Sequence, residues 1–422
     1  MELKEIEDSL FDEFVYNSSK SHFMQTSAWG EVNRNRNYIP HKLGLFDNES
    51  LKGVALLLEK KILYYSSFYC PRGFIVDYDN RELVKEMISQ LKKYVHSHRG
   101  LYFKMDPDII IRKLDKDGNV VETFDNNLEL IDFLKENGGT HKGFTTNFID
   151  TASPRFTFRV DVDKSEDELA NSFHNTTKKI IDKHNPYHID IKKGTAEDLD
   201  DFYLTMKETS QRKKMYIEPF SYFENFYKTL NRYDMSDIFV ASIKTSKLKE
   251  AFEERRLSIE KEIEDTIKRP DGKKKESHLK DLEQKKNRFE KELLEVNKIT
   301  KDKIILSSII TAKFKDKVWT IHGGSSDELI FLNGNYELYY SILLDSMHSG
   351  YKLVDFYGSE GVVDPKSPIY GIFLFKLRFG GDFDEFSGEF DFIVRPFMNK
   401  IISFLLNIRR KIRYKRSIKN GN

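Results

Sequence analysis

Two cations, Lys376 and Arg378, stand in an otherwise apolar run, Tyr370-Gly371-Ile372-Phe373-Leu374-Phe375-Lys376-Leu377-Arg378-Phe379-Gly380-Gly381. Burying a cation is expensive unless a negative group meets it. Asp355 or Glu360 could supply that charge from the protein. Alternatively, the cations await an anionic ligand or an oxygen that turns negative during reaction. Two further clusters carry chemical potential. Arg72-Gly73 follows the aromatic run Tyr64-Tyr65-Ser66-Ser67-Phe68-Tyr69 and a proline; an arginine at a strand end grips an anion or pairs with a carboxylate. Lys104-Met105-Asp106-Pro107-Asp108 ends an apolar strand with alternating charge.

Other chemistries lack their signatures. There is no phosphate-binding G-x-x-x-x-G-K-[ST] loop, no G-x-G-x-x-G fingerprint, no G-x-S-x-G elbow and no H-E-x-x-H pair. Gly323-Gly324-Ser325-Ser326 reads as a glycine-rich turn after a strand. The histidines are scattered, so no metal site and no cofactor are expected. Cys70 is the single cysteine; it cannot form an intrachain disulfide and reads as a packed thiol.

Elements must position these groups. Lys52–Leu58, Ile62–Tyr69 and Leu101–Met105 have strand composition, and Leu83, Met87, Leu91 and Val95 recur four apart on a helix over Glu82–His96. Leu128–Asn137 adds a short helix ended by Gly138-Gly139. A second succession follows: a strand at Phe156–Val162, helices at Glu166–His184 and Ala196–Glu208, strands at Ile238–Ile243, Ile304–Phe314 and Val318–His322, a helix at Tyr336–Met347 and a strand at Leu353–Tyr357. Between two of these strands, Lys247 to Lys298 is dominated by Glu, Lys and Arg. Phe252, Ile259 and Ile263 mark one apolar stripe; Leu279, Leu282, Phe289, Leu293 and Val296 mark another, with Lys286 in one slot. Arg269-Pro270-Asp271-Gly272 breaks the helix midway. The pattern suits an antiparallel hairpin of two helices of roughly 20 residues, about 30 Å long at 1.5 Å per residue. A merely solvated spacer fits the same composition.

With 422 residues, two compact domains are expected. Charged residues are 32% and hydrophobic ones 39%, with a net charge of +1, so the chain is globular and not a polycation. Charge is uneven, however: no acid follows Asp391, while Lys400, Arg409, Arg410, Lys411, Arg413, Lys415, Arg416 and Lys419 do. Ile401 to Ile408 followed by this basic run suits an amphipathic helix on an anionic leaflet, or a plain structural helix with a basic end. The N-terminus lacks a basic segment followed by an apolar run, and no apolar stretch reaches the ~20 residues of a membrane span. A soluble, cytoplasmic chain able to touch a membrane surface is expected.

The clusters, in their order, resemble the Fem family of peptidoglycan branching enzymes. The resemblance is carried by Ser21-His22-Phe23-Met24-Gln25-Thr26-Ser27-Ala28-Trp29, Pro71-Arg72-Gly73-Phe74-Ile75-Val76-Asp77-Tyr78, Leu101 to Pro107, His141-Lys142-Gly143-Phe144 and Pro154-Arg155. It continues through Ser221-Tyr222-Phe223-Glu224-Asn225, Gly323 to Ser326, Asp355-Phe356-Tyr357-Gly358 and Tyr370 to Phe392.

The resemblance implies an α/β (α+β) fold of two domains like those of GNAT acyltransferases, with an inserted antiparallel coiled-coil hairpin. It places the first domain at 1–150 with 396–422 packing back on it, the second at 151–244 and 300–395, and the arm at 245–299. It implies transfer of a small amino acid (Ala, Ser or Gly) from aminoacyl-tRNA to the stem-peptide lysine amine, or a growing cross-bridge, of lipid II or its nucleotide-linked precursor. Such aminolysis of an ester needs positioning, loss of one proton and oxyanion stabilisation, and no metal. Lys376 falls on the family's lysine and is assigned the oxyanion; Asp106, or the substrate's own groups, could take the proton. The implied binding residues are Arg34 or Arg36, Arg72, Arg155, Tyr222, His322 (where the family has Tyr), Tyr357 and Arg378. The family's phosphate-gripping arginine falls on Glu218, which would repel a diphosphate, leaving Arg212, Lys213 or Lys214 to compensate. Arm and tail cations suit tRNA, and the tail suits peripheral contact with the inner membrane face. The competing readings are an acyl-CoA-dependent GNAT acetyltransferase, whose basic phosphate turn is missing at Gly323–Ser326, and a non-catalytic binding protein.

Overall fold

The helix written by the four-residue spacing of Leu83, Met87, Leu91 and Val95 runs Arg81–Ser97, with all four residues buried. Asn80 caps it, its Oδ1 accepting from the Leu83 N–H at 3.1 Å. The helix packs on the strand Gly100–Met105. The computed structural model to which these elements belong describes residues 1–147, 151–181, 187–361, 363–367 and 369–419. The chain divides into two compact units: Met1–Arg159, Phe356–Phe373 and Asp382–Asn422 form the first, and Val160–Asp355 with Leu374–Gly381 the second.

In the first unit a seven-stranded sheet runs, in spatial order, Glu2–Glu5, Ile39–Asp47, Ser50–Ile62, Tyr65–Cys70, Gly100–Met105, Phe390–Ile393 and Gly139–His141. Only the pair Tyr65–Cys70 and Gly100–Met105 is parallel; the helix Arg81–Ser97 makes that crossover. Leu57, Phe68, Phe103, Met105 and Phe392 meet the helix in one core, where Phe103 and Phe392 stack with centroids 4.7 Å apart. A second ladder of this unit joins Phe156–Asp161, Asp382–Phe386, Ile110–Leu114 and Val120–Thr123, all antiparallel.

The sequence reading placed the second domain at 151–244 and 300–395. Residues 382–395 were expected in the second domain, but both of their strands pair inside the first unit, Asp382–Phe386 with Ile110–Leu114 and Phe390–Ile393 with Gly100–Met105. The partners lie nearly three hundred residues away in the chain, so no local pattern announces them.

In the second unit, Asp190–Lys193, Ile238–Lys244, Lys303–Phe314, Lys317–Ser325 and Leu353–Asp355 pair in that order, antiparallel except the last, parallel pair. Helices Leu199–Lys213 and Gly334–His348 pack on this sheet. The helix expected over Glu166–His184 is two helices, Glu166–Ser172 and Asn175–Ile180; residues 182–184 lie outside the described residues. The break is capped: the His174 ring accepts from the Thr176 N–H at 3.1 Å. Gly323 and Gly324 form no turn; they continue the strand Lys317–Ser325. Gly324 is required there because a Cβ would stand 2.6 Å from the Thr205–Met206 backbone of the covering helix.

The charged segment forms helices Thr245–Ile267 and Lys273–Asn297, each about 35 Å long. They pack on one another, with Phe252 stacked on Phe289 at 5.4 Å. Ile259, Leu282 and Val296 are buried, whereas Lys286 is exposed. Glu292 is the buried charge of this seam, met by Arg288 Nε at 3.0 Å and Arg255 at 3.3 Å. Removing a buried charge with its need for partners costs little, whereas removing a partner leaves the charge uncompensated. Glu292→Met should therefore leave the thermal unfolding midpoint of the protein within a degree or two, about, or raise it. Arg255→Met should lower it further than Glu292→Met does, by the equivalent of about 1–2 kcal/mol.

Candidate functional site

Lys376 lies on the helix Tyr370–Leu377 and is 8% exposed. Its neighbours Phe375 and Phe379 pack edge-on and stacked against Tyr336, with centroids at 4.8 and 5.7 Å. Phe375 also meets Tyr339 at 4.8 Å. An ammonium on an aromatic, water-poor helix loses solvation, and burial pushes the Lys376 pKa down to about 8. The negative charge of Asp355 opposes this but does not overcome it. Asp355 is itself buried at the end of the strand Leu353–Asp355, opposite Trp319. Of the two carboxylates named from the sequence, Asp355 is thus the one whose field acts on Lys376.

The turn after this helix is held at several points. The Arg378 carbonyl accepts from the His174 N–H at 2.9 Å and from the Thr177 hydroxyl at 3.0 Å. Arg378 extends its guanidinium to the Tyr336 hydroxyl at 3.5 Å. Gly380 closes the turn at φ +72°, where a Cβ would lie 2.1 Å from the Ser172 carbonyl oxygen. The gap in the 166–180 helix and this glycine therefore fit one another.

Tyr222 and His322 are brought together, the tyrosine hydroxyl 3.2 Å from His322 Nε2. Helix Phe220–Asn231 carries Tyr222, and the strand Lys317–Ser325 carries His322. Phe223 and Phe226 hold the imidazole edge-on, each at 5.1 Å. Arg212 is engaged elsewhere: it pairs with Asp327 and donates to the Ser325 hydroxyl at 2.9 Å. Glu218 accepts from the Tyr216 hydroxyl at 3.3 Å. Tyr216 stands 84% exposed beside Lys213 and Lys214.

In the first unit, Arg72 and Asp106 form a sealed cluster. Arg72 sits in the left-handed region, φ +57°, just past the strand Tyr65–Cys70. Asp106 Oδ1 accepts from the Arg72 N–H at 3.0 Å and from the Tyr69 hydroxyl at 2.9 Å. The guanidinium lies over the rings of Phe386 and Tyr357, and Tyr357 holds a strained φ of +38°. Burial holds the Asp106 carboxyl above the usual range, against the pull of Arg72. Arg72 Nε and Asp106 Oδ2 find no protein partner, and both residues line a void of about 10 Å³, room for one water. Asp106, named from the sequence as a candidate proton acceptor, is thus buried and hydrogen-bonded to the Arg72 turn. Arg155 is likewise engaged: it pairs with Glu385 and donates to the Thr145 carbonyl at 3.0 Å and the Phe386 carbonyl at 3.3 Å. Arg34, at the end of the helix Ser27–Arg34, and Arg36 are exposed.

Glu337 was not found from the sequence. It lies in the first turn of the helix Gly334–His348, and burial alone raises its pKa to about 7. An acid within Tyr336-Glu337-Leu338-Tyr339-Tyr340 was the available signal, since three tyrosines promise a poorly hydrated carboxylate.

The FemAB family model matches residues 6–406. A lipid II:glycine glycyltransferase of Staphylococcus epidermidis is 26% identical over 400 residues, covering 93% of both chains. Its counterpart in Staphylococcus aureus is 27% identical over 421 residues, covering 95% of both. The crystal structure of FemX superposes with a TM-score of 0.74 at 25% identity, over 95% of this chain and all of that one. A match of fold and sequence along nearly the whole length places this chain in the FemAB family.

Proposed function

We propose that this protein is an aminoacyltransferase that moves Gly, Ala or Ser from aminoacyl-tRNA to the lysine side-chain amine of a lipid II stem peptide, or to a cross-bridge residue already added there. The observation that carries the proposal is the buried Lys376 ammonium with its pKa depressed to about 8. The names of the relatives, which act on lipid II with glycine, support the acceptor class. In this reading each unit is an acyltransferase domain of GNAT type, and the helix pair at residues 245–297 is an arm that meets tRNA. The protein works in the cytoplasm, at the inner face of the membrane.

The neutral acceptor amine attacks the carbonyl carbon of the aminoacyl ester, and an N–C bond forms. The carbonyl oxygen becomes negative, and Lys376 stabilises it. The ester C–O bond then breaks, the amine gives up a proton and the ribose hydroxyl leaves protonated. Asp106 is held by Tyr69 and the Arg72 turn, so in this reading the substrate's own groups or solvent take the amine proton and pass one to the departing ribose oxygen. Tyr222 and His322 bind the acceptor through their joined polar edges. Arg378 steadies the helix turn that presents Lys376.

The test is incubation of the purified protein with lipid II and tRNA charged with Gly, Ala or Ser in parallel, followed by product mass. A gain of one amino-acid residue with one donor is expected. No gain with any donor, or transfer from acetyl-CoA instead, would overturn the reading. Tyr222→Phe removes the hydroxyl facing His322, and should raise KM for the acceptor about three- to tenfold with kcat within about twofold, as expected for a hydrogen bond made equally in ground and transition states.

A further inference from the structure

We propose that one end of the first unit is a docking face for an anionic lipid bilayer, built from the helix Pro396–Lys419 and the hairpin tip Leu63-Tyr64. The register of the seven-stranded sheet puts the two elements together. Ile62 pairs with Tyr65 around the tip, Ser66 with Gly100, and Tyr102 with Ile393. The tip, the start of the strand Gly100–Met105 and the departure into the helix at Pro396 therefore leave the sheet at the same end.

That end is apolar and uncovered. Leu63 is 60% and Tyr64 85% exposed, at the tip of a turn where water alone would favour polar residues. On the helix, Phe397, Ile401, Phe404, Leu405 and Ile408 are exposed. At 100° per residue they fall within one stripe. Ile402, about 110° round from the middle of this stripe, is buried, while Leu406 beyond it is 40% exposed. Phe397 at 74% and Phe404 at 65% exposure are large rings without cover.

Charge selects the occupant. Lys60, Lys61 and Arg99 stand exposed next to the tip, and Lys400 and Arg409 on the helix. In sequence, nine Lys and Arg and no acid follow Asp391. An amphipathic helix with a ring-bearing face and a wholly cationic continuation matches a leaflet with acidic headgroups: the rings enter the headgroup boundary and the cations remain with the phosphates. A tyrosine at a loop tip suits the same boundary. Among the described residues no helix is long and apolar enough to cross a membrane, so the contact is in the plane of the leaflet.

The inference rests on the proposed function only in its purpose, which is to hold the enzyme where a lipid-linked acceptor resides. The strand Tyr65–Cys70 spans about 20 Å, so the Arg72 turn at its far end stands that distance above the docking face.

The experiment is co-sedimentation of the full-length protein with vesicles of phosphatidylcholine alone, or with about a third phosphatidylglycerol. Binding to the anionic vesicles, weakened by salt, is expected. Phe404→Asp with Ile401→Asp should weaken it by about tenfold or more, and Tyr64→Asp by a few-fold, about, because each change takes apolar area out of the interface. Three results would overturn the proposal: equal sedimentation with both vesicle types, unchanged binding by the variants, or a helix that retains tRNA or a second copy of the protein but no vesicles. Aminoacyl transfer to detergent-solubilised lipid II, measured on the same variants, keeps the two proposals apart. If transfer persists while vesicle binding never occurs, only the docking face falls; if vesicles bind but no transfer is seen with any charged tRNA, only the enzymatic reading falls.

Discussion

Lys376→Met should lower kcat by about 10²–10³-fold, the usual cost of removing one oxyanion-stabilising donor from a dry site, and should at the same time make the protein more stable. The two effects share a cause. Burial depresses the Lys376 pKa from 10.5 to about 8. The folded state therefore binds fewer protons at this group than the unfolded state does between about pH 8 and 10.5. Stability rises with pH across that window, and below it the full cost of burying the ammonium is present. At pH 7 that cost is on the order of 3 kcal/mol, from the size of the shift. A methionine of similar length does not bear it, so the unfolding midpoint should rise by several degrees, about. The activity of the unmodified protein should fall above about pH 8, as Lys376 loses its proton. Lys376→Arg, which cannot titrate there, should abolish this fall while retaining part of the rate. An equal drop in activity and stability for Lys376→Met would show a structural lysine.

Gly380→Ala should be the most damaging small substitution in the second unit. The added Cβ would approach the Ser172 carbonyl oxygen to 2.1 Å, with φ at +72°. Neither atom is the free end of a side chain, so the turn or the helix Glu166–Ser172 must move. A loss of about 3 kcal/mol or more in chemical denaturation is expected, the sum of backbone strain and displaced packing. The turn also carries the Arg378 carbonyl that His174 and Thr177 hold, so kcat should fall in whatever fraction stays folded. Gly371→Ala is the control. A Cβ there meets nothing within 4 Å, and the change should leave both quantities within experimental error.

Periodic elements were legible in the sequence. The helix Arg81–Ser97 and the pair at Thr245–Ile267 and Lys273–Asn297 emerged within a few residues, since their apolar spacing is local. The strand Asp382–Phe386 was hidden because Asp384 and Glu385 occupy buried positions there. Arg155, which pairs with Glu385, lies 230 residues earlier, so no window of sequence shows why a buried acid is tolerated. Gly323-Gly324 reads as a turn for the same reason: glycine marks both turns and close backbone approach, and only the packed helix at Thr205–Met206 decides which. At the candidate site, Lys376 stood out as a cation in an apolar run, and the structure buries it. Asp106 reads in the sequence as an available strand-end carboxylate, whereas in the fold it accepts from the Tyr69 hydroxyl and the Arg72 N–H.

The placement of Phe390–Ile393 between Gly100–Met105 and Gly139–His141 has a consequence for biosynthesis. Among the described residues, the strand Gly139–His141 joins the sheet through this late segment alone. As the chain leaves the ribosome, the amino-terminal unit must stand incomplete, with the edge of Gly100–Met105 open, until some 390 residues have been translated. By contrast, the described sheet strands of the second unit, Asp190–Lys193 to Leu353–Asp355, are all translated by Asp355, and only its segment Leu374–Gly381 follows. The usual order of co-translational folding, first domain first, is thereby inverted: the middle of the chain can mature while the beginning waits for the end.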